Sequence, residues 1–280
     1  MDKKYKLMKK IFALVIVIIA FSSCKNGEEK KVIPVDDNQT KVLPENIKKL
    51  MENTAKDSGN IELKINLVDA LDSLGYKKEA LKQIDKLIAT DSLNNTFWLK
   101  RGQICKVLED TPSAIKAFHY AAKIYPTPLT LMELANLYAE TKNPKTILIC
   151  KQLMKMNPSG NYDAQANFFI GVYFSKLNDI ANAIKYFDVT IEKDFHFDDA
   201  YIEKGYLLYS NKKFDAALKV FKQLVAVNQT SADGYYWQAK SFEALNNIDN
   251  AILNYNKALM FNKDLIEAKE AIVRLSSKKN

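Results

Sequence analysis

Beyond residue 60 the chain alternates between one-sided apolar segments and short polar breaks. Ala217, Leu218, Phe221, Leu224 and Val225 have the spacing of a helix with a single buried face. Asn178-Asp179, Asn211-Lys212-Lys213 and Asn246-Asn247 are turn signals between such segments. The segments also repeat. A small residue in the middle of one helix is followed twelve positions later by an alanine near the start of the next: Gly102 and Ala114, Gly171 and Ala183, Gly205 and Ala217, Ala239 and Ala251. The step from Gly171 to Gly205 to Ala239 is 34 residues each time. A period of roughly 20 to 50 residues predicts a solenoid, whose stacked units offer a long curved surface instead of a preformed catalytic cleft.

One unit shows the pattern in full. Trp98, Gly102, Cys105, Ala114, Phe118, Ala121 and Pro126 stand at relative positions 4, 8, 11, 20, 24, 27 and 32. This resembles the tetratricopeptide repeat, a helix–turn–helix unit with Trp, Gly, Tyr, Ala, Phe or Tyr, Ala and Pro near those positions. Gly171, Phe174, Ala183 and Phe187 continue the frame. So do Tyr201, Gly205, Leu208, Ala217, Phe221 and Leu224, and then Tyr235, Ala239, Phe242, Ala251, Tyr255 and Ala258. Leu67, Leu71, Ala80, Ile84 and Leu87 fit it more weakly upstream. Leu134, Ala135, Tyr138, Thr146, Cys150 and Pro158 fit if the turn between the two helices is one residue short.

The resemblance implies an all-α fold, a right-handed α-solenoid of about six such units with a C-terminal capping helix. The units fall at residues 61–94, 95–127, 128–163, 164–197, 198–231 and 232–265. Residues 45–60 are expected to form a short capping helix, and 266–280 a capping helix and polar tail with Ile266, Ala268, Ile272 and Leu275 turned inward. Close crossing of the paired helices excludes bulk at positions 8 and 20, and the position-24 aromatics are expected to fill the gap between neighbouring units. Arg101 in place of an apolar residue, and Phe195 and Gln229 in place of the terminal proline, depart from the pattern.

The N-terminus has a different character. Lys3, Lys4, Lys6, Lys9 and Lys10 precede an uncharged apolar run from Ile11 to Phe21, and Ser22-Ser23-Cys24 follows. A basic region, a short apolar region and small residues before a cleavage point make a signal peptide. The apolar run falls short of the ~20 residues that a spanning helix needs. A cysteine directly after two small residues resembles the lipobox of bacterial lipoproteins, with Phe21 similar to bacteroidete examples. That resemblance implies removal of residues 1–23, acylation of Cys24 and anchoring in a membrane; a noncleaved anchor with an incidental cysteine is the alternative. Lys25 after Cys24 speaks, by resemblance to the proteobacterial sorting rule, against retention at the inner membrane. The implied location is the bacterial cell envelope, as an outer-membrane lipoprotein facing the periplasm or the cell surface. Residues 24–44, with Gly27, Pro34 and Pro44 among many charges, read as a flexible tether reaching ~25 Å.

Charge excludes one class of partner. The formal net charge is +8, but half of it belongs to the signal segment, and Arg101 and Arg274 are the only arginines. The high lysine content is therefore not a nucleic-acid signature. Cys105 and Cys150 occupy core positions and are expected to be free thiols that behave as small hydrophobes. His119 and His196 stand apart from any ligand spacing, so neither a metal nor another cofactor is expected. No G-x-x-x-x-G-K-[ST], G-x-S-x-G or H-E-x-x-H occurs, and an enzyme is not expected.

In tetratricopeptide arrays the first helix of each unit lines the concave face. The resemblance places Phe168, Phe169, Tyr206, Tyr209, Tyr236 and Trp237 there, with Lys176, Asp199, Glu203, Asp233, Lys240 and Glu243 among them. Rings beside charges suit a peptide groove, although some of the rings could pack between adjacent helices instead. Acidic residues stand where a carboxylate clamp would need cations, which favours a neutral or basic segment. The expected function is a membrane-anchored adaptor that binds a protein or peptide. The alternative is a surface component that captures peptides or glycans.

Overall fold

The computed structural model describes residues 43–156 and 159–277. The stretch read as a signal peptide, Cys24, nearly all of the stretch read as a tether, Pro158 and the last three residues lie outside them. Residues 44–280 form one compact unit. Among the described residues there are fourteen helices and no strand: α1 Glu45–Lys56, α2 Ile61–Ser73, α3 Lys77–Thr90, α4 Asn95–Val107, α5 Thr111–Ile124, α6 Pro128–Glu140, α7 Lys145–Lys155, α8 Asp163–Lys176, α9 Ile180–Lys193, α10 Asp198–Ser210, α11 Phe214–Val227, α12 Ala232–Ala244, α13 Ile248–Phe261 and α14 Ile266–Ser276. From α2 to α13 they form six antiparallel pairs, each an inner and an outer helix. Each helix packs on its neighbours in sequence. The inner helices α6, α8, α10 and α12 also touch one another in turn, whereas no outer helix packs comparably on another outer helix. The stack therefore bends with the even-numbered helices on its concave side.

Local chemistry sets the ends of the helices. Asn60, Asp110, Thr127, Asp179, Ser231 and Asn247 cap helix N-termini, each side chain accepting a backbone N–H of the first turn. Every inner helix from α2 to α12 ends on a left-handed residue: Gly75, Glu109, Lys142, Asn178, Lys212 and Asn246. The next N–H then returns to a carbonyl five residues back, as in Tyr76 to Leu71 at 2.8 Å, Asp179 to Phe174 at 2.9 Å and Lys213 to Leu208 at 3.0 Å. This is the Schellman closure, which satisfies carbonyls that a helix end leaves open.

The repeat signature has a steric cause. A Cβ built on Gly102 would lie 2.6 Å from the ring of Phe118, and one on Gly171 would lie 2.7 Å from that of Phe187; Gly205 meets Phe221 in the same way. The position-24 ring thus lies on the position-8 glycine of its own unit. The same rings also reach the neighbouring units, as expected: Phe118 packs with Leu134, Leu137 and Tyr138, Phe187 with Leu207, and Phe221 lies 5.9 Å from the Trp237 ring. The other units trade bulk between the same positions: Val68 with Ile84, Ala135 with Cys150, Ala239 with Tyr255, all buried. Ala114, Ala183, Ala217 and Ala251, at position 20, are fully buried as well.

The third unit is irregular at one point. Lys142 turns the chain seven residues after Ala135, as in every other unit. The buried Thr146 follows it by four residues where the other units take five. Its hydroxyl donates to the Asn143 carbonyl at 2.7 Å, so the shortened turn leaves no orphaned side-chain oxygen. Cys105 and Cys150 are free and buried. Burial pushes the Cys150 thiol up to about 12 and raises that of Cys105.

The last helix covers α13 with Ala268, Ala271 and Leu275. Ile266, expected to face inward, is 63% exposed. It is the first residue of an inner-type helix, and Ile61, in the same place on α2, is exposed too.

Candidate functional site

The concave face divides into an ionic half and an aromatic half. In the ionic half, side chains bridge successive inner helices. Lys100 of α4 reaches Asp69 at 2.7 Å and Asp72 at 2.9 Å on α2, Lys106 reaches Glu133 of α6 at 2.6 Å, and Glu140 of α6 takes Lys176 of α8 at 2.5 Å. Burial works against the charge on Asp72, but hydrogen bonds from Lys77 and Lys100 outweigh it and hold the carboxyl below its usual range. Arg101, out of pattern in the sequence, pairs with Asp85 of α3 at 2.7 Å. Trp98 stacks on Tyr120 at 4.7 Å and donates its indole N–H to the Ser92 carbonyl, which makes it a brace between the two helices of its unit.

In the aromatic half, rings from α10, α11 and α12 converge on Trp237. Its centroid lies 5.2 Å from Tyr206, 5.5 Å from Tyr209, 5.6 Å from Tyr236 and 5.9 Å from Phe221. Such edge and offset contacts add to the area that the rings bury. Trp237 and Tyr236 are only 6% and 7% exposed, and Glu203 8%. These three are thus part of the packed floor. That corrects their reading as open groove lining: each sits on the seam where α10 and α12 touch. Phe168 is likewise held among Phe169, Phe187 and Phe197, with its ring 5.0 Å from that of Phe197.

What stays part-open is smaller. Tyr206 and Tyr209 keep partial exposure over the Trp237 floor, and Asp199, Asp233 and Lys240 are also partly exposed. Lys240 lies 6.0 Å from the Tyr209 ring centroid, within reach of a cation–π contact. Burial and the nearby Glu243 raise the Tyr209 hydroxyl above its ordinary value. Burial, with Asp198 beside it, raises the Asp233 carboxyl. At the far edge Glu243 accepts from the Tyr255 hydroxyl at 2.9 Å and from Arg274 of α14 at 2.6 Å. Burial opposes its charge, but those two hydrogen bonds hold it below the usual range. Arg274 was not read as part of this face, although it stands nine positions into α14, as Lys240 does in α12; extending the repeat frame into the capping helix would have found it.

Among the described residues no group of His, Cys, Asp and Glu could hold a metal ion, and no helix is long and apolar enough to cross a membrane.

The Tetratricopeptide repeat family model matches residues 202–264, the segment that contains this aromatic half. No curated protein matches the sequence. Among solved structures, a tetratricopeptide repeat protein from Parabacteroides merdae is similar at TM-score 0.63 and 16% identity, over 82% of this chain and 91% of that one. PilW, a widely conserved type IV pilus biogenesis factor, is similar at TM-score 0.60 and 19% identity, over 75% and 97%. Yeast Tom70 is similar at TM-score 0.56 and 19% identity, over 83% of this chain and 58% of Tom70. At such identities the likeness is one of fold. With helix pairs in a 34-residue frame and glycines under aromatic rings, the described residues form an all-α solenoid of the tetratricopeptide repeat type, and residues 202–264 match that family.

Proposed function

We propose that this chain is a non-catalytic scaffold of the bacterial cell envelope, holding a protein or peptide partner on the concave face of its C-terminal repeats. One observation carries the reading: Tyr206 and Tyr209 present part-open faces over a floor fixed by the buried Trp237. Rings held this way contribute contact area at low entropic cost. Asp199 and Asp233 at one end of the inner helices and Lys240 farther along would set the register of an extended segment, and the acidic end suits a neutral or basic one. The likeness in fold to a pilus biogenesis factor supports an adaptor role. The basic, apolar and small-residue order before Cys24 supports export and acylation, with the tether letting the array stand off an outer membrane.

Photo-crosslinking amino acids placed at Tyr206 and, separately, at Lys219 on the outer face test the site in native membranes. Polypeptide adducts are expected from position 206 and not from 219; equal adducts from both, or none from 206, would reject the groove. Labelled palmitate should mark the wild-type protein and not Cys24→Ser; a labelled variant would reject the anchor. Part-open tyrosine rings can also stack on sugars, so capture of glycans at the surface is the second reading. Binding to a glycan array that survives when peptide adducts are absent would favour it.

A further inference from the structure

Charge is sorted between the two faces of the array. The six outer helices carry 14 lysines against six acidic residues. The six inner helices paired with them carry seven basic residues against 11 acidic ones. The outer excess is concentrated further. Helices α3, α5 and α7 hold nine of those lysines and only two acidic residues, Glu79 and Asp85, the latter already paired with Arg101. Lys77 is engaged with Asp72. The other eight, at positions 78, 82, 86, 116, 123, 145, 151 and 155, are exposed. On α3 they stand at i, i+4 and i+8, a single stripe pointing away from the stack. Neither α5 nor α7 contains a carboxylate. Leu148, 66% exposed on α7, and the exposed ring of Tyr120 lie among them.

We propose that the convex face of the first three repeats docks on an anionic phospholipid surface. Packed helices lie about 8–10 Å apart and these outer helices do not pack on one another, so the basic area is at least ~20 Å wide and, at 11 to 14 residues per helix, roughly 16–21 Å long. Every cation in it is a lysine. A lysine is a hydrated point charge without the planar fork that recognises one phosphate in fixed geometry. Lysines spread over a broad surface suit many laterally mobile headgroups, and juxtamembrane lysines add favourable energy one by one near such a surface. The exposed Tyr120 ring among these charges is already stacked on Trp98, so the three helices offer no row of free rings of the kind single-stranded nucleic acid uses. Leu148 and Tyr120 are the kind of side chain that settles into the boundary between headgroups and acyl chains. Docked this way, the array would turn its acidic, aromatic concave face toward the aqueous side, where a partner could reach it. The proposal does not depend on that partner.

The test uses residues 44–280, the compact unit that contains every core side chain described and lacks the N-terminal lysines and apolar run. It should co-float with vesicles of one-third phosphatidylglycerol in phosphatidylcholine, and not with pure phosphatidylcholine, and release when salt is raised from 0.1 to 0.5 M. Lys116→Glu, Lys123→Glu, Lys151→Glu and Lys155→Glu together should lower the partition coefficient at least tenfold, with circular dichroism unchanged. The matched control, Lys185→Glu, Lys193→Glu, Lys219→Glu and Lys222→Glu on α9 and α11, should lower it less than threefold. Equal loss in both sets would show a response to net charge alone and overturn the assignment. Equal binding to uncharged vesicles would overturn it, and so would binding to heparin or DNA without binding to anionic vesicles. A failure of palmitate labelling in the full chain would leave this result unaffected, so anchor and face are judged separately.

Discussion

The two halves of the array use one backbone frame with different side-chain chemistry between inner helices. From α2 to α8 the inner helices are tied by ion pairs at 2.5–2.9 Å, several with partly exposed partners. From α10 to α12 the seam is filled by rings gathered on Trp237. Partly exposed ion pairs contribute little each and weaken with salt and acid. Buried rings contribute through area and shape and are insensitive to both. In a stack whose stability is a sum of repeats and their interfaces, the C-terminal half should therefore be the tighter one. It also presents the part-open tyrosines, so the proposed groove sits on the stiffer half.

The largest effect should come from the shared frame. Ala217 is fully buried where α10 crosses α11, and Ala216 beside it is exposed. Ala217→Arg forces bulk and an unpaired charge into the crossing and should cost about 4 kcal/mol or more. Ala216→Arg should change stability by less than about 0.5 kcal/mol. Urea titration followed by circular dichroism compares them; a soluble, fully helical Ala217→Arg would break the register. Next comes the contrast between halves. Trp237→Ala should cost ~3–5 kcal/mol, as removal of a buried aromatic usually does. Trp98→Ala, which removes a half-buried brace, should cost less, about 1–2 kcal/mol. Equal costs would mean that the aromatic seam is no stronger than the ionic one. Because Trp237 is structural, loss of partner capture in its alanine variant would not locate the groove; Tyr206→Ser with Lys240→Glu probes the open part.

Acid should separate the halves further. The Asp72 carboxyl is held below its usual value, so its stabilising contribution is present above the ordinary aspartate pKa of about 3.9 and is lost as pH falls through the lower folded value. Asp233 is shifted the other way, by burial first and Asp198 second. Its charge destabilises the fold at neutral pH, and the penalty is relieved as pH falls through its raised folded value. Hydrogen exchange between pH 7 and 4 should show α12 gaining protection relative to α2 after correction for intrinsic rates. Asp233→Asn should be more stable than wild type at pH 7, with the gain vanishing once both states are protonated. A gain that persists unchanged at pH 3 would assign it to something other than the charge.

The frame was legible because its steric demands recur. Only a glycine leaves room for the ring of Phe118, Phe187 or Phe221 as it is placed, and the Tyr255 ring is matched by nothing larger than Ala239, so small residues return at intervals of about 34 positions. The short turn of the third unit was legible for the same reason, since Ala135, Thr146 and Cys150 still had to be small. The burial of Trp237 was not. It depends on rings from α10, α11 and α12 meeting at one point, and spacing within a helix says which side a residue is on without saying how closely the next repeat approaches. Arg274 to Glu243 and Lys176 to Glu140 are pairings of the same kind, set by helices from different repeats. The charge sorting between outer and inner helices was open to inspection in the sequence, but it has meaning only once the inner and outer faces are assigned.

The smallest effect concerns the turns that close each inner helix. All six place one residue in the left-handed region, where a Cβ normally costs roughly 1–2 kcal/mol. The first turn uses Gly75, which bears no such cost, and Asn178 and Asn246 tolerate the conformation better than most residues. Lys212, at φ 60°, and Lys142 and Glu109 are the strained ones. Lys212→Gly should therefore stabilise the chain by about 0.5–1 kcal/mol, part of the relief being offset by the greater freedom of glycine in the unfolded chain. Asn246→Gly should give less, and Gly75→Ala should destabilise by ~1 kcal/mol. The midpoints of urea unfolding, at unchanged slope, rank these changes. If Lys212→Gly loses stability instead, the lysine must make contacts that outweigh its backbone, and the turn would have to be counted among the features that distinguish the two halves.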